Sequence, residues 1–143
     1  MRRRVVVALR WRPVGIEIDG VHHITLRVGD LERSRSFYAG VLGLVADQDF
    51  PGEKLRFRLG PHTRLVLRPP LPGTAFERDG GRRLGLDHLA LGVPTRAELD
   101  RVVAVLRGAG VRTGGVREPG VVSFRDPDGI AWQLYEKHGN ICI

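Results

Sequence analysis

Residues 22–28 read HHITLRV and residues 87–93 read DHLALGV, so the chain repeats one strand-like pattern at an offset of 65, with His23 matched to His88. A repeat of this kind sets the architecture, because each copy has to form the same supersecondary unit. Each copy also runs into a helical pattern. After Asp30, a good N-cap, Leu31, Phe37, Tyr38, Val41 and Leu42 share one helical face; after Thr95 the same holds for Leu99, Val102, Val103 and Leu106. Thr95 and Glu98 form a T-x-x-E capping box, and Gly43 and Gly108, again 65 apart, stand where the two helices should stop.

Two more strand-like stretches close each copy: LRFRLGPHTRLVLRP over residues 55–69 and VVSFRDPDGIAWQLYE over residues 121–136. Phe57 matches Phe124 and Leu67 matches Leu134, both at an offset of 67, which places Val66 opposite Gln133. Pro61 and the run Asp126, Pro127, Asp128, Gly129 supply the hairpin turns. A faint second strand is expected over residues 45–50 in one half and 111–116 in the other. The expected fold class is therefore α+β: two βαβββ modules, residues 20–70 and 84–137, joined by a Pro- and Gly-rich linker over 71–83. Their curved mixed sheet should enclose a half-barrel cleft with the helices on its outer face. Residues 1–19 form an extension without a counterpart in the repeat, and residues 138–143 a tail.

A length of 143 residues suits one domain, and no apolar stretch approaches the roughly 20 residues that cross a bilayer. The apolar run after Arg2, Arg3 and Arg4 is broken by Arg10 and Arg12 and has no cleavage pattern behind it, so export is not expected. Cys142 is the single cysteine, which leaves no internal disulfide and no Cys-based zinc site. A cytoplasmic protein without a membrane partner is the expectation. The net charge is +7, but the 21 arginines and two lysines are scattered through strands, loops and helices without interleaved aromatics, which argues against nucleic acid.

Side chains alternate across a strand, so one strand can serve a core and a cleft at once. Ile24, Leu26 and Val28 form a helix-facing row, as do Leu89, Leu91 and Val93; Leu65, Leu67, Trp132 and Leu134 join them. The opposite face then holds His23, His88, Val66, Gln133, Arg56, Arg58, Arg64, Arg68, Ser123, Arg125 and Tyr135. Neutral imidazole is a good ligand for first-row divalent metals, and two His at repeat-equivalent positions should converge if the halves pack about a pseudo-twofold axis. His22 should point away, and His62 and His138 fall in a turn and the tail.

VHHITLRVGDLERSRSFYAGVLGL and FRDPDGIAWQLYE resemble the opening strand and helix and the closing hairpin of the vicinal oxygen chelate superfamily, over residues 20–137. The family includes glyoxalase I, extradiol dioxygenases, fosfomycin-resistance transferases and bleomycin-resistance proteins. The resemblance implies a divalent metal (Fe, Mn, Zn, Ni or Co) between the modules, and frequent homodimers. Its ligand positions fall on His23, Val66, His88 and Gln133. Valine binds no metal, which removes a ligand and a carboxylate base of glyoxalase I; Gln stands where the dioxygenases and fosfomycin enzymes carry Glu. The resulting expectation is a metalloenzyme of dioxygenase, lyase/isomerase or fosfomycin-type transferase class, with His23, His88 and Gln133 as ligands. Its substrate should be small, oxygen-chelating and anionic, bound by Arg56, Arg58, Arg64, Arg68, Ser123 and Arg125, with Tyr135 a catalytic hydrogen-bond donor or acid. The alternative is a non-catalytic protein that sequesters a small molecule or antibiotic.

Overall fold

The computed structural model describes residue 16 and residues 18–73 and 85–137. Four strands, β1 (His23–Arg27), β2 (Ala46–Phe50), β3 (Lys54–Leu59) and β4 (Thr63–Arg68), form one sheet in the order β1-β4-β3-β2, with β1 parallel to β4. The second sheet, β5 (Leu89–Val93), β6 (Val121–Arg125) and β7 (Ala131–Glu136), has the order β5-β7-β6, with β5 parallel to β7. In each half the first strand lies beside the last, as a βαβ crossover demands.

The helices between them begin as their caps dictate. Asp30 Oδ1 accepts the Arg33 amide at 2.9 Å at the start of α1 (Leu31–Arg35), and Thr95 Oγ1 accepts the Glu98 amide at 3.2 Å at the start of α2 (Arg96–Gly108). The capping box is one-sided, since the Glu98 carboxylate pairs with Arg101. After α1 the chain widens into a π-helical turn, Ser36–Val41, where Leu42 donates to the Phe37 carbonyl at 3.0 Å. Both Phe37 and Tyr38 are buried there. Gly43, at φ +69°, stops the turn; α2 ends on Gly108 itself, and the left-handed stop comes two residues later at Gly110.

One expected strand is missing. Residues 111–116 make no ladder; a single bridge, Arg117 to Val121, stands in its place, and among the described residues the second sheet has three strands against four in the first. Gly114 and Gly115 interrupt that stretch, and Gly115 sits at φ +79°, which a pleated strand does not accommodate.

Both halves contribute to one core: Leu26, Val28, Leu55, Phe57, Leu65 and Leu67 from the first, Leu99, Leu106, Val122, Phe124, Trp132 and Leu134 from the second, with Ile24, Leu89, Leu91 and Val93 partly buried against it. Tyr38 joins them. Fully buried, it donates its hydroxyl to Asp126 Oδ2 at 2.6 Å and accepts from Trp132 Nε1 at 3.1 Å. Asp126 Oδ1 in turn holds the β6–β7 turn through the amides of Asp128 (2.9 Å) and Ile130 (2.8 Å). Asp128 reaches back to the first module, accepting from Arg33 Nη2 at 2.6 Å and from the Gly29 amide at 3.1 Å. A Cβ on Gly29 would lie 3.0 Å from that same carboxylate oxygen, so a side chain there would have to push the Asp128 carboxylate aside by a few tenths of an ångström. Burial pushes the Asp126 carboxyl up, and burial with the facing Asp126 charge pushes the Tyr38 phenol far up. The Asp-Pro-Asp-Gly turn is thus a clasp between modules as well as a hairpin turn.

Candidate functional site

Strand register carries the repeat into three dimensions. Thr25 pairs with Val66 and Val66 with Arg56 across the first sheet; Ala90 pairs with Gln133 and Gln133 with Ser123 across the second. These rows lie on the faces turned away from the buried rows, as the alternation of burial along each strand requires. Equivalent positions therefore carry different chemistry.

In the second module, His88, Gln133, Ser123 and Arg125 line a cavity of about 690 Å³ together with Asp87 and Thr113. Asp87 Oδ1 lies 2.6 Å from His88 Nδ1. An ionised carboxylate only accepts, so this contact keeps the proton on Nδ1 and turns the Nε2 lone pair into the available donor, the arrangement in which metal-binding histidines are usually held. Gln133 Oε1 is buried without a partner, and of the three residues with such a side-chain atom among the described residues Gln133 is the one that lines this cavity. A buried carbonyl oxygen without a donor costs on the order of 1–3 kcal/mol, which a cation or a ligand donor at that atom would relieve. By donor chemistry His88 and Gln133 fit a divalent ion as two neutral ligands. Ser123 Oγ accepts from Arg117 Nη2 at 2.9 Å, and Arg125 Nη1 donates to the Gly129 carbonyl at 2.7 Å.

The first module contributes nothing to this cavity's lining. His23 is exposed, and its Nδ1 lies 2.8 Å from His22 Nδ1, so His22 does not point away but supports its neighbour. His62 is exposed, and His138 lies outside the described residues. Arg56, Arg58 and Arg64 surround Asp47, a carboxylate the alternation argument had not placed there: Ala46 pairs with Phe57 and Gln48 with Arg56, so Asp47 is the extra residue of a bulge. The guanidiniums of Arg56 and Arg64 hold the Asp47 carboxyl below its ordinary range. Arg68 is exposed and level with Arg27, whose Nη1 donates to the Pro69 carbonyl at 2.9 Å. Tyr135 is half-buried, level with Gly92 and Val121, and not among the cavity's lining residues.

A second, larger cavity of about 890 Å³ lies between the modules, lined by Ile24, Tyr38 and Leu42 on one side and Leu91, Val102 and Val105 on the other. Among the described residues no group of three or more His, Cys, Asp or Glu is placed to hold a metal ion, and no helix is long and apolar enough to cross a membrane.

The fold has counterparts in known proteins. A lactoylglutathione lyase of Salmonella typhimurium is 32% identical over 123 residues, which span 80% of this chain and 90% of that one. Among solved structures, a glyoxylase/bleomycin resistance protein/dioxygenase domain from Frankia sp. EAN1pec superposes with a TM-score of 0.74 at 28% identity, covering 84% of this chain and 98% of that one. TnmS3, an antibiotic binding protein from Streptomyces sp. CB03234, superposes with a TM-score of 0.63 at 26% identity, covering 85% and 98%. The profile of the family matches residues 20–134, from the strand that opens the first module to the one that closes the second. By this match, and by the two repeated modules just described, the chain belongs to the Glyoxalase/Bleomycin resistance protein/Dioxygenase superfamily.

Proposed function

We propose that the protein is a divalent-metal-dependent enzyme of lyase or dioxygenase type, whose metal is held by His88 and Gln133 of one chain and by His23 of a second copy in a homodimer. The observation that carries this reading is the buried, unpartnered Gln133 Oε1 in the same cavity as a His88 whose Nδ1 is already engaged by Asp87. Because that cavity has no lining from the first module, His23 has to come from another chain, which gives dimerisation a chemical role.

A bound divalent ion would polarise adjacent oxygens of a chelating substrate as a Lewis acid. The chain's own residues define the rest. Asp87 orients His88. Gln133 binds through oxygen without accepting a proton, and Val66 offers no base where glyoxalase I has a carboxylate. Asp47, a carboxylate on the first module's face, is kept ionised by two arginines and is a weak base. Chemistry that needs a strong carboxylate base at the metal is therefore disfavoured, and activation of an anionic substrate by chelation is favoured, with the arginines of both faces supplying the charge.

Competition titration of Zn²⁺, Ni²⁺ or Mn²⁺ against a chromogenic chelator tests the reading. One ion per chain is expected for the natural sequence, with binding lost in His88→Ala and in His23→Ala. Wild-type protein without stoichiometric metal would replace this reading by the other: sequestration of a small molecule in the 890 Å³ cavity between the modules, the kind of role that TnmS3's description as antibiotic binding suggests.

A further inference from the structure

Three guanidiniums and one carboxylate meet on the face of the first sheet turned away from the core. Arg56 Nε donates to Asp47 Oδ1 at 2.7 Å, Arg64 Nε donates to Oδ2 at 2.9 Å, and Arg58 Nε lies 3.7 Å from Oδ2. Asp47 is only 11% exposed, whereas the side chains of Arg56, Arg58 and Arg64 are 32%, 62% and 28% exposed. The carboxylate is thus the floor of the cluster, and the guanidiniums are its accessible surface. Each guanidinium has five N–H donors, and Asp47 takes one from Arg56 and one from Arg64; the Thr63 carbonyl takes one more from Arg64 at 3.2 Å.

An exposed ion pair whose charges cancel is an ordinary surface feature of small energetic weight. This cluster does not cancel. Three cations around one anion leave two positive charges; Arg56 and Arg64 are anchored through Nε from two adjacent strands in fixed register (Arg58 opposite Arg64, Arg56 opposite Val66), and Arg58 stands beside them as the more exposed third cation. Guanidiniums oriented in advance bind oxyanions with less ordering cost and with charge-assisted, often bidentate bonds. A residual charge of two is neutralised by a dianion and only half neutralised by a carboxylate.

We propose that Arg56 and Arg64, positioned by Asp47, form with the neighbouring Arg58 a binding site for a tetrahedral dianion, the phosphate or phosphonate group of the substrate. This rests on reading the first module's strand face as part of the substrate site, and it does not depend on the metal. Asp47 is a positioning residue. Its negative charge sits beneath the site, yet its removal should harm anion binding because two guanidiniums lose their shared anchor.

Calorimetry on the full, metal-free chain with ethyl phosphate and with acetate at pH 8 tests this, since a phosphate ester is a dianion well above its second pKa of about 6. Ethyl phosphate should bind one per chain and at least about tenfold more tightly than acetate, and Arg56→Gln and Arg64→Gln should each weaken it about tenfold. Asp47→Asn should also weaken it, although it makes the cluster more positive; should this variant fail to fold by circular dichroism, the two Arg variants decide. Arg96→Gln, which removes a positive charge on α2 outside the cluster, should leave ethyl phosphate binding unchanged. Equal affinity for acetate, tighter binding in Asp47→Asn, or an equal loss in Arg96→Gln would each overturn the proposal. Methylphosphonate in a parallel titration tells a phosphonate from a phosphate ester. A chain that binds ethyl phosphate but no metal would refute the metal reading alone, and a chain that binds metal but no ethyl phosphate would refute this site alone.

Discussion

The row Thr25, Val66 and Arg56 in the first module and the row Ala90, Gln133 and Ser123 in the second occupy the same place in the same strand order, yet one carries charge and the other neutral donors. The backbone treats them alike. Divergence came through side chains on the face that packing does not constrain, whereas on the buried face both halves keep large apolar residues: Phe57 against Phe124, Leu65 against Trp132, Leu67 against Leu134. A duplicated module can hold one face to a shared core and leave the other to acquire separate tasks, here an arginine cluster over Asp47 and a polar cavity at His88.

The comparison breaks first if the two halves fold independently. Tyr38→Ala removes a fully buried ring between them together with the donor to Asp126, and should cost about 4 kcal/mol in one cooperative denaturant transition. A second transition at the wild-type midpoint would mean that the shared core does not couple the modules.

Metal affinity sharpens the comparison next. Gln133→Glu should tighten binding about tenfold or more, since a carboxylate adds a full charge beside a dication. Val66→Glu should tighten it by a similar factor by restoring a donor on the first module, measured by the same chelator competition. If Gln133→Glu succeeds and Val66→Glu does not, the arginine cluster at Arg56 and Arg64 has captured the new carboxylate, and the first module's face serves anions only.

The smallest effect is a pair of opposite pH slopes. The Asp47 carboxyl is lowered, chiefly by its hydrogen bond from Arg56, so its contribution to stability is present above its ordinary value of 3.8 and is lost as pH falls through the lowered value. Asp126 is raised, chiefly by burial, so its contribution is full below 3.8 and is lost as pH rises through the raised value. The stability cost of Asp47→Asn should therefore grow from pH 2 to pH 7, and that of Asp126→Asn should shrink over the same range, in denaturant titrations at several pH values. Parallel slopes would contradict the two environments.

Periodicity and repetition determined much of this protein before any fold was known. Alternation in HITLR and in TRLVLR assigns Leu26, Leu65 and Leu67 to the core, Asp30 and Thr95 mark the helix starts, and the match of residue 23 to 88 and of 66 to 133 places the rows that the strand register then aligns. These are local rules, each satisfied within a few residues or by one offset. What departs from them is non-local or breaks a period. The bulge that turns Asp47 toward the arginines breaks the alternation of β2 by one residue. The π-helical turn lets Phe37 and Tyr38, adjacent in sequence, both enter the core. Gly115 denies the second sheet its fourth strand. The partners across the modules, Tyr38 with Asp126 and Arg33 with Asp128, lie 88 and 95 residues apart, and no local pattern encodes them. Which side chains share a cavity is likewise a property of how sheets pack: His88 meets Gln133 because β5 and β7 are neighbours, and His23 is absent from that cavity because the core draws the two modules together by their buried faces and leaves the other faces to whatever binds there.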